Sequence, residues 1–244
     1  MLILAGLGIS DEKGITLEEL EEAKTSDFIF VELYTSIWHG NIKNLEKIIG
    51  KKIEILKRKD LEEEVNKVLQ LASNKKVTIF VPGDPLVATT HSSLIIECKK
   101  RGINFKILHN SSIFSAIYET GLHAYKFGPA ITIPLKEKIK GEVKSIIEVI
   151  KENKKRGLHT LCLLDIDLEN NRFLEVKDAI KFLIESKAIE EREKIIVASC
   201  IGTNNQKIIW KEAKNLIDIE ISLPAVIVIL GKLHFSEREA LEKF

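Results

Sequence analysis

Apolar positions along this chain follow two alternating rhythms. Short runs rich in β-branched and aromatic residues alternate with longer stretches in which apolar side chains return every third or fourth position. That alternation predicts an α/β architecture with largely parallel strands. The runs read as strands are LILAGLG from Leu2, FIFVEL from Phe28, KIEIL from Lys52, VTIFV from Val77, FKILH from Phe105, AITIP from Ala130, TLCLLDI from Thr160, KIIVASCIG from Lys194 and AVIVILG from Ala225. These are many strands for one sheet, so two α/β domains are expected, with the boundary where Gly128, Pro129 and Pro134 bracket a short strand: residues 1–134 and 135–244. A lysine-rich helix is predicted to follow, from Lys136 through Arg156. Helix ends are legible elsewhere. Thr16 with Glu19 has the spacing of a capping box, Asp60 with Glu63 resembles it, and Gly50, Gly102, Gly121 and Gly157 stand where left-handed caps are wanted.

Two strands stop abruptly. After VTIFV the chain reads Pro82-Gly83-Asp84-Pro85, where neither proline can donate to a ladder, so the backbone leaves the sheet at once with Asp84 at the tip. From spacing alone this is either a tight turn whose Asp caps a helix beginning near Leu86, or a corner that aims Asp84 at a ligand. The first strand ends in AGLGIS, which matches a dinucleotide fingerprint only in part, because Asp11 stands where the third glycine belongs. A standard Rossmann cofactor site is therefore disfavoured, and no Walker A lysine, H-E-x-x-H or nucleophile-elbow motif appears.

Composition removes further classes. The chain has 244 residues, of which 45% are hydrophobic, and its 37 Lys plus Arg against 36 Asp plus Glu leave a formal charge of +1. No global field points to nucleic acid or an anionic membrane. The longest apolar runs, such as PAVIVILG from Pro224, have strand length, so no membrane span is expected. The N-terminus lacks a basic region and meets Asp11 and Glu12 early, which reads as a strand and not a leader, so a cytoplasmic protein is expected. Cys98, Cys162 and Cys200 are widely spaced among apolar residues and predict reduced core thiols, with no metal site.

Four segments together carry a resemblance: ILAGLGIS at the start, VPGDPLVATTH at Val81–His91, HNSSIFSAIYETGLHAYKFG at His109–Gly128, and LPAVIVILGKLHFSEREAL at Leu223–Leu241. In order and spacing this set resembles the diphthine synthase family, within the tetrapyrrole methylase-like class of S-adenosylmethionine-dependent methyltransferases. Corrin-ring methylases of that class tend to place a Tyr-Gly pair after the Gly-Asp-Pro turn, whereas here Leu86 to His91 follow. The resemblance implies two α/β domains with S-adenosylmethionine folded in the cleft between them, and S-adenosylhomocysteine as product. It implies a homodimer, and elongation factor 2 as protein substrate. The methyl groups go to the amino nitrogen of an aminocarboxypropyl group already attached to one histidine of that factor, giving diphthine. Family ligand positions map onto Ile9, Asp84, Val87, Ser112, Ile113, Leu163, Ile208 and His234, with Ala225 a further candidate.

The reagent sets what the protein must do. A sulfonium methyl is already activated, so no metal and no covalent enzyme intermediate is needed, and positioning is expected to dominate. The catalytic group is left unassigned. Candidates for a base are His91, His123, Tyr125 and Asp165. The basic stretches at Lys57 and Lys151, and the loop YTSIWHG with Tyr34, Trp38 and His39, could meet a protein substrate or simply form surface and core cover. A corrin or other small-molecule methylase and a non-catalytic S-adenosylmethionine-binding module are the competing readings.

Overall fold

Five parallel strands carry the first half of the chain in the computed structural model, which describes residues 1–138 and 143–244. They are β1 (Leu2–Gly6), β2 (Phe28–Glu32), β3 (Glu54–Leu56), β4 (Val77–Val81) and β5 (Phe105–Leu108), in the order β3-β2-β4-β1-β5. Their continuous apolar runs follow from burial on both faces. Leu2, Leu4, Val77, Ile79, Val81 and Phe30 face one core with Val68, Leu69 and Ala72 of α4 (Asn66–Asn74) and Leu94 and Cys98 of α5 (Ser92–Arg101). The alternate residues Ile3, Ala5, Ile29, Val31 and Phe80 face a second core with Ala23 of α1 (Leu17–Thr25) and Leu45 and Ile49 of α2 (Ile42–Ile49). This unit comprises Met1–Ser115. The short α3 (Arg58–Glu62) begins at Lys57, whose N–H donates to Asp60, so Asp60 is the third residue of the cap and not its first, correcting the predicted Asp60–Glu63 box. Thr16 and Glu19 do form the capping box expected of them, and all four predicted glycine caps are left-handed.

The second unit, Ala116–Phe244, holds a sheet in the order β11-β10-β12-β7-β6. Its strands are β6 (Ile131–Ile133), β7 (Thr160–Leu164), β10 (Lys194–Ser199), β11 (Lys207–Glu212) and β12 (Ala225–Ile229); β8 (Ile166–Asp167) and β9 (Arg172–Phe173) form a separate hairpin. Only β6 and β7 run parallel, and the other pairs are antiparallel, so the expectation of largely parallel strands holds for the first sheet alone. One face packs Ile133, Cys162, Val197 and Ile227 against Ile146 and Ile150 of α7 (Val143–Lys155) and Ala179, Ile180 and Leu183 of α8 (Val176–Glu185). The strand ending at the expected boundary, Pro134, is β6, and its pairing with β7 places it in this second unit. The predicted lysine-rich helix is a single turn over Lys136–Lys138 and then α7, and its stretch 139–142 lies outside the described residues. The three cysteines are buried and unpaired. Among the described residues no helix is long and apolar enough to cross a membrane.

Candidate functional site

In a parallel sheet all carboxyl ends share one edge, and ligands collect there. At that edge the loops after β4, β1 and β5 are neighbours in that order. The first two are fastened backbone to backbone: Gly8 N donates to Gly83 O at 3.1 Å and Gly83 N to Gly8 O at 2.9 Å, and both residues are left-handed. Gly6 shows why β1 ends in glycine. A Cβ there would come within 2.5 Å of both Gly83 O and Asn110 Cβ. With no side chain on β1 in the way, the β4 and β5 loops touch across its end.

The contact across β1 is made by Asp84. Its Oδ1 accepts from Leu86 N at 2.9 Å, and its Oδ2 accepts from His109 Nδ1 at 2.8 Å and Asn110 N at 3.3 Å. Asp84 is almost fully buried while the His109 side chain is 66% exposed. Helix α5 begins only at Ser92, so Asp84 closes a turn and does not cap a helix starting near Leu86. Residues 85–91 between them form a tight loop in which Ala88 is left-handed at φ 55 and Pro85 O accepts from Thr89 Oγ1 at 2.8 Å and from His91 Nδ1 at 3.3 Å. Asn110 completes the cluster. Its Nδ2 donates to Gly6 O at 3.2 Å, Gly14 O at 3.0 Å and Glu19 Oε2 at 3.1 Å, tying the β5 loop to the β1 loop and the start of α1. Burial pushes Glu19 above the usual carboxylate range, against the hydrogen bonds from Thr16 and Asn110.

Four of the positions implied by the resemblance are thereby gathered at one edge. Ile9 follows the Gly8 bridge, Val87 lies in the strained loop, and Ser112 stands over Gly83, its Cβ 3.8 Å from where a Gly83 Cβ would be; Ile113 follows it and opens α6 (Ile113–Ala116). Ser112 is only 7% exposed, and its hydroxyl makes no hydrogen bond among the described residues. A hydroxyl with no protein partner on a nearly buried residue, beside backbone shaped by glycine, fits a polar ligand such as the methyl donor. In the second unit the placements are looser. Leu163 and Ile208 share one register row, Leu163–Val226–Ala198–Ile208, three strand spacings or about 14 Å apart. His234 is the N-cap of α9 (Phe235–Leu241), with Nδ1 at 2.8 Å from Ser236 Oγ.

Three of the four candidate bases are otherwise occupied. His91 is 1% exposed, burial lowers its pKa, and its Nε2 faces Tyr34 Oη at 3.4 Å and Glu32 Oε1 at 4.0 Å. Burial pushes Glu32 up to about 7, opposed by hydrogen bonds from Thr35 and Tyr34. Tyr34 and Trp38 pack into the two cores of the first unit, so their loop covers core more than it presents aromatics. His123 Nε2 lies 3.1 Å from Ser236 Oγ, and Asp165 accepts from Leu135 N at 3.1 Å and pairs with Lys138. Tyr125 is exposed, with no such partner among the described residues. What the sequence reading missed is His109 and Asn110. Both were inside a segment already singled out, but their role depends on β5 lying next to β1 and one strand from β4, which no local pattern shows.

Comparison with known proteins identifies the family. Residues 1–216 match the family model of the tetrapyrrole (corrin/porphyrin) methylases. The diphthine synthase of Methanocaldococcus jannaschii is 41% identical over 252 residues, covering 99% of this chain and 98% of the relative, and that of Methanococcus vannielii is 39% identical over 250 residues, with 99% and 98% covered. A crystal structure of diphthine synthase superposes with a TM-score of 0.91 at 34% identity, covering 100% of this chain and 95% of the other. The chain therefore belongs to the tetrapyrrole methylase family and, within it, to the diphthine synthases.

Proposed function

We propose that this protein methylates the amino nitrogen of the aminocarboxypropyl-histidine of elongation factor 2, using S-adenosylmethionine, as a diphthine synthase. The observation that carries the reading is end-to-end identity of 41% to a diphthine synthase, covering 99% of this chain and 98% of the relative. When bound, the donor supplies an activated methyl on a positively charged sulfur whose departure leaves a neutral thioether. The chain's task is to hold the two reactants in line, which contributes roughly 7–11 kcal/mol where alignment is good. On this reading Ile9, Asp84, Val87, Ser112 and Ile113 form the donor contacts at the edge of the first sheet. Asp84 acts by fixing the loop that carries Val87, and Ser112 by offering its hydroxyl. Leu163, Ile208 and His234 are proposed as donor contacts on the resemblance alone. A homodimer working in the cytoplasm on elongation factor 2 completes the proposal.

The test is incubation of the purified protein with methyl-labelled donor and elongation factor 2 bearing the aminocarboxypropyl-histidine. Label on the factor, lost when that histidine is replaced, is the expected result. Label on a precorrin offered in parallel, with none on the factor, overturns the reading in favour of a small-molecule methylase.

A further inference from the structure

We propose that His109 is the group that takes the proton from the substrate amine, with Asp84 setting its tautomer. The proposal rests on the methyltransferase reading above and names a residue that reading does not use.

The chemistry creates the need. An α-amino group has a pKa near ~8, so at pH 7 roughly nine-tenths of it is ammonium, which has no lone pair to attack with. Each transfer therefore begins with loss of a proton. The N–C bond then forms as the C–S bond breaks and its electron pair stays on sulfur, and the new alkylammonium must shed another proton before the next transfer. Over each cycle one proton leaves with one methyl gained, and a base at the site can take that proton before water does.

Geometry selects the residue. A carboxylate can only accept, so the 2.8 Å contact with Asp84 Oδ2 places the hydrogen of neutral His109 on Nδ1 and the lone pair on Nε2. The ring is 66% exposed and is aimed from the carboxyl edge of the first sheet, with Asp84 buried behind it at 7% side-chain exposure. It stands in the same loop as Ser112, three residues on. The charged groups that reach this loop are Asp84 directly and Glu19 through Asn110. The other histidines of the same unit differ: His91 is shut from solvent, and His39, exposed in the Trp38 loop, has no carboxylate partner among the described residues. In the second unit, His159 is spent at both nitrogens, accepting from Gly231 N on Nδ1 at 3.0 Å and donating to Glu237 from Nε2 at 3.1 Å, while His123 and His234 converge on Ser236.

Two measurements test this. Nitrogen-15 NMR of the histidine rings in the protein without substrate should show His109 with Nδ1 protonated and Nε2 bare at high pH, and Asp84→Ala should shift that ring toward the Nε2–H form. Kinetically, His109→Ala should lower kcat at pH 7 by about tenfold, the ratio of ammonium to free amine there, with the deficit shrinking as pH rises past the amine's own pKa, added imidazole restoring part of the rate, and the dissociation constant for S-adenosylhomocysteine unchanged. A His109→Ala enzyme as fast as the unmodified protein at pH 7, or an Nε2–H ring in the unmodified protein, overturns the proposal. If the unmodified protein itself transfers no methyl to the factor, the functional reading falls and takes this one with it; an active parent beside an unimpaired variant removes only the role of His109.

Discussion

Single side chains at the edge of the first sheet separate binding from folding unusually well. Ser112 makes no hydrogen bond from its hydroxyl among the described residues, so Ser112→Ala removes nothing the fold uses. Its melting temperature should match the parent's while the dissociation constant for S-adenosylhomocysteine, read by calorimetry, rises several-fold, the size of one hydrogen bond worth about 1 kcal/mol. Equal affinities would remove Ser112 from the donor site. Gly6→Ala should do the reverse first. A methyl there would sit 2.5 Å from Gly83 O and Asn110 Cβ, and neither is the free end of a flexible chain, so the loops after β1, β4 and β5 must separate. A destabilisation of about 1–3 kcal/mol or more is expected, visible as a lower denaturant midpoint together with weakened donor binding. Asp84 belongs between these cases. The sequence places it at the tip of a corner, yet it is buried and holds Leu86, His109 and Asn110, so Asp84→Ala should cost both stability and binding. The corner was legible from its prolines and glycine; the two partners of its carboxylate in the loop after β5 were not, because they lie 25 and 26 residues away in sequence.

At the level of strands and helices, what could be read followed burial. β1, β2, β4 and β12 are buried along nearly their whole length and stand out as unbroken apolar runs. β11 escaped because it is an edge strand, where Lys207, Lys211 and Glu212 flank IIW and dilute the pattern, and β8 and β9 are too short to have one. Strand direction escaped for a different reason. Antiparallel β10, β11 and β12 are as apolar on their core-facing positions as parallel strands are, and only the connections between them reveal the sense. The expected domain boundary shifted for a similar reason, since β6 is read equally well as a last strand or a first one until its partner, β7, is known. A polar side chain now supports that junction. Asn153 of α7 is buried and donates from Nδ2 to Pro129 O and Thr160 Oγ1, each at 2.9 Å, clamping the helix to the entries of β6 and β7. Asn153→Ala should cost about 1–3 kcal/mol, because it strands the buried Thr160 hydroxyl.

Over the molecule as a whole, a formal charge of +1 means that pH acts through particular buried groups and not through net repulsion. Two carboxyls dominate, with opposite signs. Burial raises Glu237, but Lys126, the N–H groups of His123 and His234, and His159 outweigh it and bring the carboxyl down to about 2. Its depressed value stabilises the fold above the ordinary carboxylate range, and that stabilisation is lost as pH falls toward 2. Glu32 is the reverse case: raised from 4.5 to about 7, it binds a proton in the folded protein that the unfolded chain has already released, so stability declines as pH climbs from 4.5 to 7. Each shift corresponds to something on the order of 3 kcal/mol, giving a stability maximum on the mildly acidic side of neutrality. Glu32→Gln isolates the second limb. Its amide oxygen can accept from the N–H groups of Tyr34 and Thr35 as the carboxylate does at 3.0 and 3.1 Å, while carrying no charge to desolvate. Thermal melts of parent and variant should nearly coincide at pH 5 and diverge steadily toward pH 8, the variant melting several degrees higher. Curves that stay parallel across that range would mean the buried carboxyl titrates normally, and the pH dependence of the fold would have to be sought elsewhere.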